Sequence, residues 1–331
     1  MNLTKFILAA IAAFVLLLTC RTAGAQQTSK VYRVGALFNG KPDVAFETLR
    51  KELARLGYVE GTNVVFEARF AEGQLDRLPG FAAELVNKGV DVIATYGGPA
   101  TIAARKASTT IPIVAALVAD PVAIGVAATL ERPGGNVTGI TNNDPELASR
   151  QLGILKALFP KLARVAILSD SDIPGADASG LAPIERANVT AARAVGIAPQ
   201  VLKVHGPTPD FDTAFNAMVA ERAEVLLVLE VPAPFRNRKR IAELAAAHRI
   251  PTMYWGGASD AGGLMAYGTT FTDTYPRMPI YVDRILKGAK PADVPFEVIS
   301  RREFVINLKT ARELGLTIPA EVLKHADRVI D

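Results

Sequence analysis

Cysteine is nearly absent from this sequence. It holds a single cysteine, Cys20, in 331 residues, and that cysteine falls in an N-terminal segment that we expect to be removed on export. A mature chain without cysteine forms no disulfide and offers no thiolate nucleophile. The composition therefore argues against a disulfide-stabilised scaffold and against a cysteine-dependent enzyme.

Motifs of enzymes and of metal sites are missing as well. The chain contains no G-x-G-x-x-G or phosphate-loop glycine pattern, no G-x-S-x-G elbow and no H-E-x-x-H motif. Its three histidines, His205, His248 and His325, are far apart in sequence, and we expect each to be solvated. Because no nucleophile stands with a base, we predict that the protein is not an enzyme and has no metal site and no cofactor.

Long runs of one charge are also lacking. The formal net charge is +4, and the most basic segment is residues 236–240, with the sequence RNRKR. A short run of this kind is typical of the solvated face of a helix, so we predict no nucleic-acid partner. What the chain does have is hydrophobic residues, which make up 50% of it. This share predicts a sizeable aliphatic core.

The first 25 residues have the features of a secretion signal. Lys5 supplies a positive charge, residues 6–19 are apolar, and residues 23–25 have the small-x-small pattern of a cleavage site. We predict cleavage after this signal peptide and a periplasmic location. Two alternatives stay open: an uncleaved anchor helix, and a lipoprotein attached through Cys20, although the residue before that cysteine fits the lipidation pattern poorly.

The rest of the chain alternates short apolar runs with longer amphipathic stretches. Val31–Phe38 and Val90–Thr95 are predicted strands, and Pro42–Leu56 and Pro121–Leu130 are predicted helices. Such alternation is typical of βαβ units around parallel sheets. The pattern starts again after about residue 145, so we predict an α/β protein with two doubly wound parallel-sheet lobes.

A long tail follows the second predicted sheet, which indicates that the chain passes between the lobes more than once. We assign residues 31–140 and about 269–300 to lobe 1, and residues 141–268 and about 301–331 to lobe 2. A multi-segment hinge of this kind leaves a cleft between the lobes. Ligands bind in open α/β sheets where the carboxyl ends of the strands face such a cleft.

Polar, aromatic and glycine residues at predicted strand ends are the candidate ligand contacts. Residues 96–99 follow a buried strand and open a helix, where free N–H groups could receive an anion, although an ordinary tight turn is the alternative. Asp120 could cap a helix or accept an ammonium group, and Trp255 could stack on a ligand or belong to the core. The predicted ligand-binding residues are Phe38, Asn39, Tyr96, Gly97, Gly98, Pro99, Asp120, Thr141, Asn142, Ser169, Glu230 and Trp255.

Several motifs carry a family likeness. They include LERPGGNVTG at 130–139, AGGLMAYG at 261–268 and YVDRILKGAKP at 281–291. In these motifs the chain resembles the ABC-transporter substrate-binding proteins of the tryptophan/tyrosine type. The resemblance implies a type I periplasmic-binding-protein fold, a ligand between the lobes, and delivery to a membrane permease. The family often has threonine where this chain has Gly98, so the resemblance does not fix the ligand.

Taken with the absent motifs, the resemblance predicts an exported, monomeric solute-binding protein of an ABC importer. The expected ligand is a small polar molecule, an amino acid or a similar compound, bound in the interlobe cleft. The alternative is a periplasmic ligand sensor that docks on a membrane receptor without transport, and the sequence does not separate the two.

Overall fold

The computed structural model describes residues 30–142 and 144–331, and its strands form two sheets. The predicted leader, with Cys20, lies outside the described residues. In chain order the strands are Tyr32–Phe38 (β1), Val64–Phe70 (β2), Val92–Tyr96 (β3), Ile113–Val118 (β4), Val137–Thr141 (β5), Arg164–Asp170 (β6), Ala198–Val204 (β7), Val225–Val228 (β8), Thr252–Tyr254 (β9), Met265–Gly268 (β10), Glu297–Val298 (β11), Glu303–Asn307 (β12) and Arg328–Ile330 (β13).

The two sheets are built almost wholly from parallel pairs. The first has the order β11-β5-β4-β3-β1-β2 with parallel pairing throughout. The second has the order β13-β12-β10-β9-β8-β6-β7 and is parallel except between β10 and β12. The predicted α/β class with two parallel-sheet lobes is confirmed. The antiparallel pair β10–β12 is not among the predictions. The chain passes through the first lobe between these two strands, so they are not joined by the helical crossover that a parallel pair requires.

Helices cover both faces of each sheet. The α-helices are Val44–Arg55 (α1), Leu78–Asn87 (α2), Gly98–Ala107 (α3), Leu147–Leu158 (α4), Pro183–Ala194 (α5), Phe211–Ala220 (α6), Pro232–Arg236 (α7), Arg238–Ala247 (α8), Phe271–Thr274 (α9), Arg277–Leu286 (α10), Leu308–Glu313 (α11) and Ala320–Leu323 (α12). Side chains alternate across a strand, so Val34 and Ala36 of β1 join one apolar cluster while Leu37 joins the cluster on the opposite face. In the same way Ile167 and Leu168 of β6 belong to different clusters.

The prediction of a helix over Pro121–Leu130 is wrong. The chain makes a single turn there, in which Asp120 Oδ1 accepts hydrogen bonds from the N–H groups of Val122 (3.2 Å) and Ala123 (2.9 Å). Gly125 then adopts a φ of +73°, a left-handed conformation that interrupts a right-handed helix. The strand end therefore continues into a compact loop instead of a helix.

Three segments of the described chain connect the lobes. They follow β5, β10 and β11, since α10 packs in the cluster of the first sheet before β12 joins the second sheet. An ion pair between Asp144 and Arg302 joins the first and third connections, and both side chains are largely buried. The second and third connections are joined by Asp273 and Arg301, with 3.4 Å between Oδ1 and Nη1. Within the described ranges, none of the helices has the length and apolarity that a bilayer span requires.

Candidate ligand-binding site

A mostly apolar cavity of about 150 Å³ lies between the lobes. A cavity of about this volume in another protein binds benzene, so there is room for a ring-sized group. The lining residues of the first lobe are Asn39, Gly40, residues 96–99, residues 117–120 and Ile124. Those of the second lobe are Ile173, Pro174, residues 182–184, residues 230–232, Phe235 and Arg236, and Asn142 of the first connection completes the wall.

Strand ends supply much of this lining. Asn39, residues 97–99 and Asn142 directly follow β1, β3 and β5, and Glu230 comes two residues after β8. Parallel strands present their carboxyl ends at one edge of a sheet, which is where open α/β sheets bind ligands. The cavity therefore lies where the topology of both sheets predicts a site.

The turn between β3 and α3 depends on glycine. Gly97 has a φ of +89°, and a Cβ atom there would lie 2.4 Å from Asn39 Nδ2, so a side chain would displace the asparagine. Helix α3 begins at the next residue, and Pro99 stands in its first turn. Since a helix N-terminus carries partial positive charge, this wall of the cavity favours an anionic group.

The end of β4 has an unusual backbone. The register with β5 shifts between Ala115 and Val118, and Leu117, which lines the cavity, has a φ of +51°. Non-glycine residues in this conformation are strained and occur preferentially at functional sites. Asp120 follows on the cavity wall, and its Oδ1 accepts the two backbone hydrogen bonds of the turn described above. Capping is therefore one role that Asp120 fills.

Glu230 and Asn142 form a polar pair in the wall. Asn142 Nδ2 donates a 2.9 Å hydrogen bond to Glu230 Oε2, whereas Glu230 Oε1 and Asn142 Oδ1 are buried without a hydrogen-bond partner. Burial raises the pKa of Glu230 to about 8, although the hydrogen bond from Asn142 acts in the opposite direction. Glu230 is thus mostly protonated at neutral pH.

Two stacked ring pairs stand at the cavity, one in each lobe. Tyr96 lines the cavity and stacks on Phe38, with 5.7 Å between ring centroids and an interplanar angle of 18°. Phe235 lines it from the second lobe and stacks on Trp255 at 5.7 Å and 16°. Burial raises the pKa of Tyr96 well above its ordinary value, so its hydroxyl stays neutral. Each cavity-facing ring is held in place by a second ring behind it.

Eight of the twelve predicted ligand-binding residues line the cavity: Asn39, Tyr96, Gly97, Gly98, Pro99, Asp120, Asn142 and Glu230. Phe38, Thr141, Ser169 and Trp255 are buried and do not line it. Thr141 donates a 2.5 Å hydrogen bond to the carbonyl oxygen of Val118. Ser169 Oγ and Trp255 Nε1 are buried without a partner, so direct ligand contact by these two residues stays a prediction.

Arg236 and Phe235 line the cavity, although they are not among the predicted ligand-binding residues. We interpreted the basic run at 236–240 as one solvated helix face, but helix α7 ends at Arg236 and a separate helix begins at Arg238. The two prolines at 232 and 234 are the feature of the sequence that indicates a separate short helix here. They favour a short helix directly after the strand end, and such a helix places its last residues near the cleft.

The loop between β6 and α5 crosses to the first lobe. A Cβ atom on Gly98 would lie 3.5 Å from Pro174 Cγ and 3.8 Å from Ile124 Cδ1. These are ordinary van der Waals distances, so the two side chains already occupy the space beyond a methyl group at this position. Pro174 and Ile124 thus fill the space that a side chain larger than a methyl group would need at Gly98.

Comparison with known proteins identifies related sequences. The sequence model of one family, described as ABC transporter substrate binding protein, matches residues 42–330. A protein named tyrosine-binding protein, from Clostridioides difficile strain R20291, is 23% identical over 287 residues, which are 86% of this chain and 80% of the relative.

Solved structures share the fold. The ABC domain from Streptococcus pneumoniae in complex with L-Trp has a TM-score of 0.78 and 26% identity, over 90% of this chain and 99% of that one. A conserved domain protein from Vibrio cholerae O1 biovar El Tor strain N16961 has a TM-score of 0.77 and 24% identity, over 91% of this chain and all of the other. The two-lobed architecture is therefore common to these proteins.

Proposed function

The chain belongs to the ABC transporter substrate-binding protein family, and from this premise we propose that it binds an amino acid with an apolar or aromatic side chain and delivers it to the membrane permease of an importer. The observation that carries the proposal is the cavity between the lobes, which combines apolar walls with buried polar atoms that have no partner. An amphipathic small molecule supplies both kinds of contact.

The relatives support the same ligand class. One is named for tyrosine, and one solved structure holds L-Trp. In this chain Tyr96 and Phe235 offer ring faces to an apolar or aromatic side chain. The start of α3 offers N–H groups to a carboxylate, and Glu230 offers an acceptor to an ammonium group. Of the sequence-predicted residues, we propose that the eight in the lining contact the ligand.

Transport requires that binding changes the protein. We propose that lobe 1 (residues 31–140 and about 269–300) and lobe 2 (residues 141–268 and about 301–331) close on the ligand and that the permease recognises the closed form. To convert a 1:99 population into 99:1, a ligand must favour the closed form by about 5.5 kcal/mol. Export through the predicted signal peptide would place the protein beside the permease in the periplasm, where it acts as a monomer.

A ligand screen tests the proposal. Purified residues 26–331 are heated with each of the twenty amino acids, with purines and with small carboxylates. Binding to the native state raises the melting temperature, and a ligand at about 100 times its Kd adds about 2.7 kcal/mol of stability. We expect L-tyrosine or L-tryptophan to raise the melting temperature by several degrees. No shift with any amino acid would rule out the ligand class.

Delivery is tested separately by uptake. In a strain that lacks this protein, uptake of the labelled ligand should fall to background and return when the gene is restored. Unchanged uptake in the deletion strain would contradict a role in import.

A further inference from the structure

Arg236 brings a positive charge to the cavity without a matching ion pair. It ends helix α7 and lines the cavity. Its Nη2 donates a 3.3 Å hydrogen bond to the carbonyl oxygen of Gly206, but Nη1 is buried with no partner. Across residues 30–142 and 144–331, no carboxylate oxygen lies within 4 Å of the guanidinium nitrogens. A buried cationic donor in this state is costly unless an acceptor reaches it.

The nearest acids do not supply that acceptor. Burial lowers the pKa of Arg236, and the charges of Asp170 and Asp172 oppose this from longer range, but the oxygens of both acids accept other hydrogen bonds. Asp170 accepts from the N–H groups of Asp172 (2.9 Å) and Ala233 (2.8 Å), and Asp172 Oδ2 accepts from the N–H of Gly206 at 3.1 Å. The two carboxylates therefore form no hydrogen bond with Arg236 and leave its Nη1 to another anion.

Arg236 also reaches the opposite lobe. A Cβ atom on Gly73, in the loop after β2 of the first sheet, would lie 2.7 Å from Cζ and Nη2 of Arg236. The guanidinium of the second lobe thus packs directly on the backbone of the first. This contact exists only when the lobes are together, so in the closed form the guanidinium is held between the two lobes.

We infer that Arg236 binds the carboxylate of the ligand and makes an acidic group a condition of tight binding. The inference rests on the proposed function, because it names the residue that recognises one end of the proposed amino acid. A guanidinium presents a planar fork of donors that matches the two oxygens of a carboxylate. The N-terminus of α3, on the wall of the same cavity, carries partial charge of the same sign.

Paired ligands and matched variants test this inference. Calorimetric titration compares L-tyrosine with tyramine and L-tryptophan with tryptamine, since each amine keeps the ring and the ammonium group but lacks the carboxylate. For Arg236→Gln we expect at least a tenfold loss of affinity for the amino acids. The amines should bind the wild-type protein weakly and lose no more than about twofold. Arg236→Lys should retain part of the preference for the acid.

Arg240→Gln is the control, because Arg240 is exposed and makes only long ion pairs, at 3.9 Å to Asp212 and 3.8 Å to Glu243. It should bind both amino acids as the wild type does, and thermal unfolding without ligand confirms that each variant is folded. Equal losses for acid and amine, or an unchanged amino-acid affinity in Arg236→Gln, would overturn the inference and leave the proposed function standing. If no amino acid binds the wild-type protein, both the inference and the proposed function are overturned.

Discussion

Glu230 illustrates how one buried side chain links ligand binding to pH. Its pKa is raised to about 8, chiefly by burial, and Asn142 donates the one hydrogen bond described for its carboxylate. The nearby hydroxyls of Tyr96 and Tyr275 also have raised pKa values, for Tyr275 about 12, so neither ionises near neutral pH. An ammonium group that binds beside Glu230 would favour the ionised carboxylate and lower its pKa.

The expected outcome is proton release on binding. At pH 7 the free protein holds Glu230 mostly protonated, so a ligand with an ammonium group should release close to one proton, and affinity should rise with pH until about pH 8. Calorimetry in two buffers of different ionisation enthalpy measures the proton count. Indole-3-propionate, which lacks the ammonium group, and the Glu230→Gln variant should release none. Equal proton counts for L-tryptophan and indole-3-propionate would show that Glu230 does not face the ammonium group.

Glu230→Gln has a second consequence, for stability without ligand. A carboxyl whose folded pKa lies above its unfolded value of about 4.5 binds more protons in the folded state, so stability falls as pH rises from about 4.5 to 8 and is then constant. The glutamine variant should lose this part of the pH dependence, which thermal unfolding at pH 5, 6.5 and 8 would measure.

For single residues, the sequence predicts which side chains line the cavity better than it predicts what each one does there. Tyr96, Asn142 and Glu230 were selected because polar or aromatic side chains follow apolar strands, and strand ends determine what reaches the cleft. Trp255 was selected by the same logic but lies behind Phe235. Phe235 and Arg236 were missed because a side chain on a short helix reaches the cavity through tertiary packing, which no local pattern encodes.

At the scale of elements, the hydrophobic pattern predicts strands and helices correctly where buried residues recur at regular spacing. The predicted strands Val31–Phe38 and Val90–Thr95 are apolar runs, and the structure has β1 and β3 at these positions. Pro121–Leu130 is apolar enough for a helix and Asp120 caps its first turn, yet the left-handed Gly125 ends it after that turn. Such a loop is decided by backbone hydrogen bonds and one φ angle, which hydrophobic spacing does not report.

The contact between α3 and the loop before α5 leads to a prediction about Gly98. Gly98→Ala should bind ligand within about twofold of the wild type, because its Cβ meets Pro174 at an ordinary 3.5 Å. Gly98→Thr places further atoms in space that Pro174 and Ile124 occupy, and overpacking of this kind costs about 1–3 kcal/mol. The affinity of Gly98→Thr should therefore fall about tenfold, as calorimetry would measure.

A compensating change provides the control. Pro174→Gly in the Gly98→Thr background removes the obstructing ring and should restore most of the affinity. Because the contact joins the two lobes, the free energy of unfolding without ligand should change little in the single variant. A Gly98→Thr protein with wild-type affinity would mean that the loop moves aside in the bound state.

For the whole molecule, the fold class was predictable because the βαβ alternation occurs twice and the tail is too long for the second lobe alone. The pairing of the three connections was not predictable. Asp144 and Arg302 are separated by more than 150 positions in the sequence, and their buried ion pair forms only when both sheets are in place. Arg301 and Asp273 add a second link between connections, so the hinge is a small network and not three independent strands of chain.

Closure of the lobes has an energetic cost that a ligand can offset. The closed arrangement buries Oδ1 of Asn39 and Nη1 of Arg236 without hydrogen-bond partners, and each such atom costs about 1–3 kcal/mol. Open lobes would return these atoms to water. The protein without ligand should therefore be mainly open, and a ligand that supplies the missing partners should close it.

Small-angle X-ray scattering measures this equilibrium directly. The radius of gyration of residues 26–331 should decrease on titration with the amino acid that the ligand screen identifies and reach a plateau at saturation. Arg236→Gln removes one of the unpartnered atoms and one ligand contact together, so it should be less open without ligand and should contract less when ligand is added. Gly98→Thr should begin with the wild-type radius and fail to contract fully, because its obstruction acts only on the closed form. If scattering of the wild-type protein is unchanged by saturating ligand, the lobes do not move on binding, and release to a permease must depend on some signal other than closure.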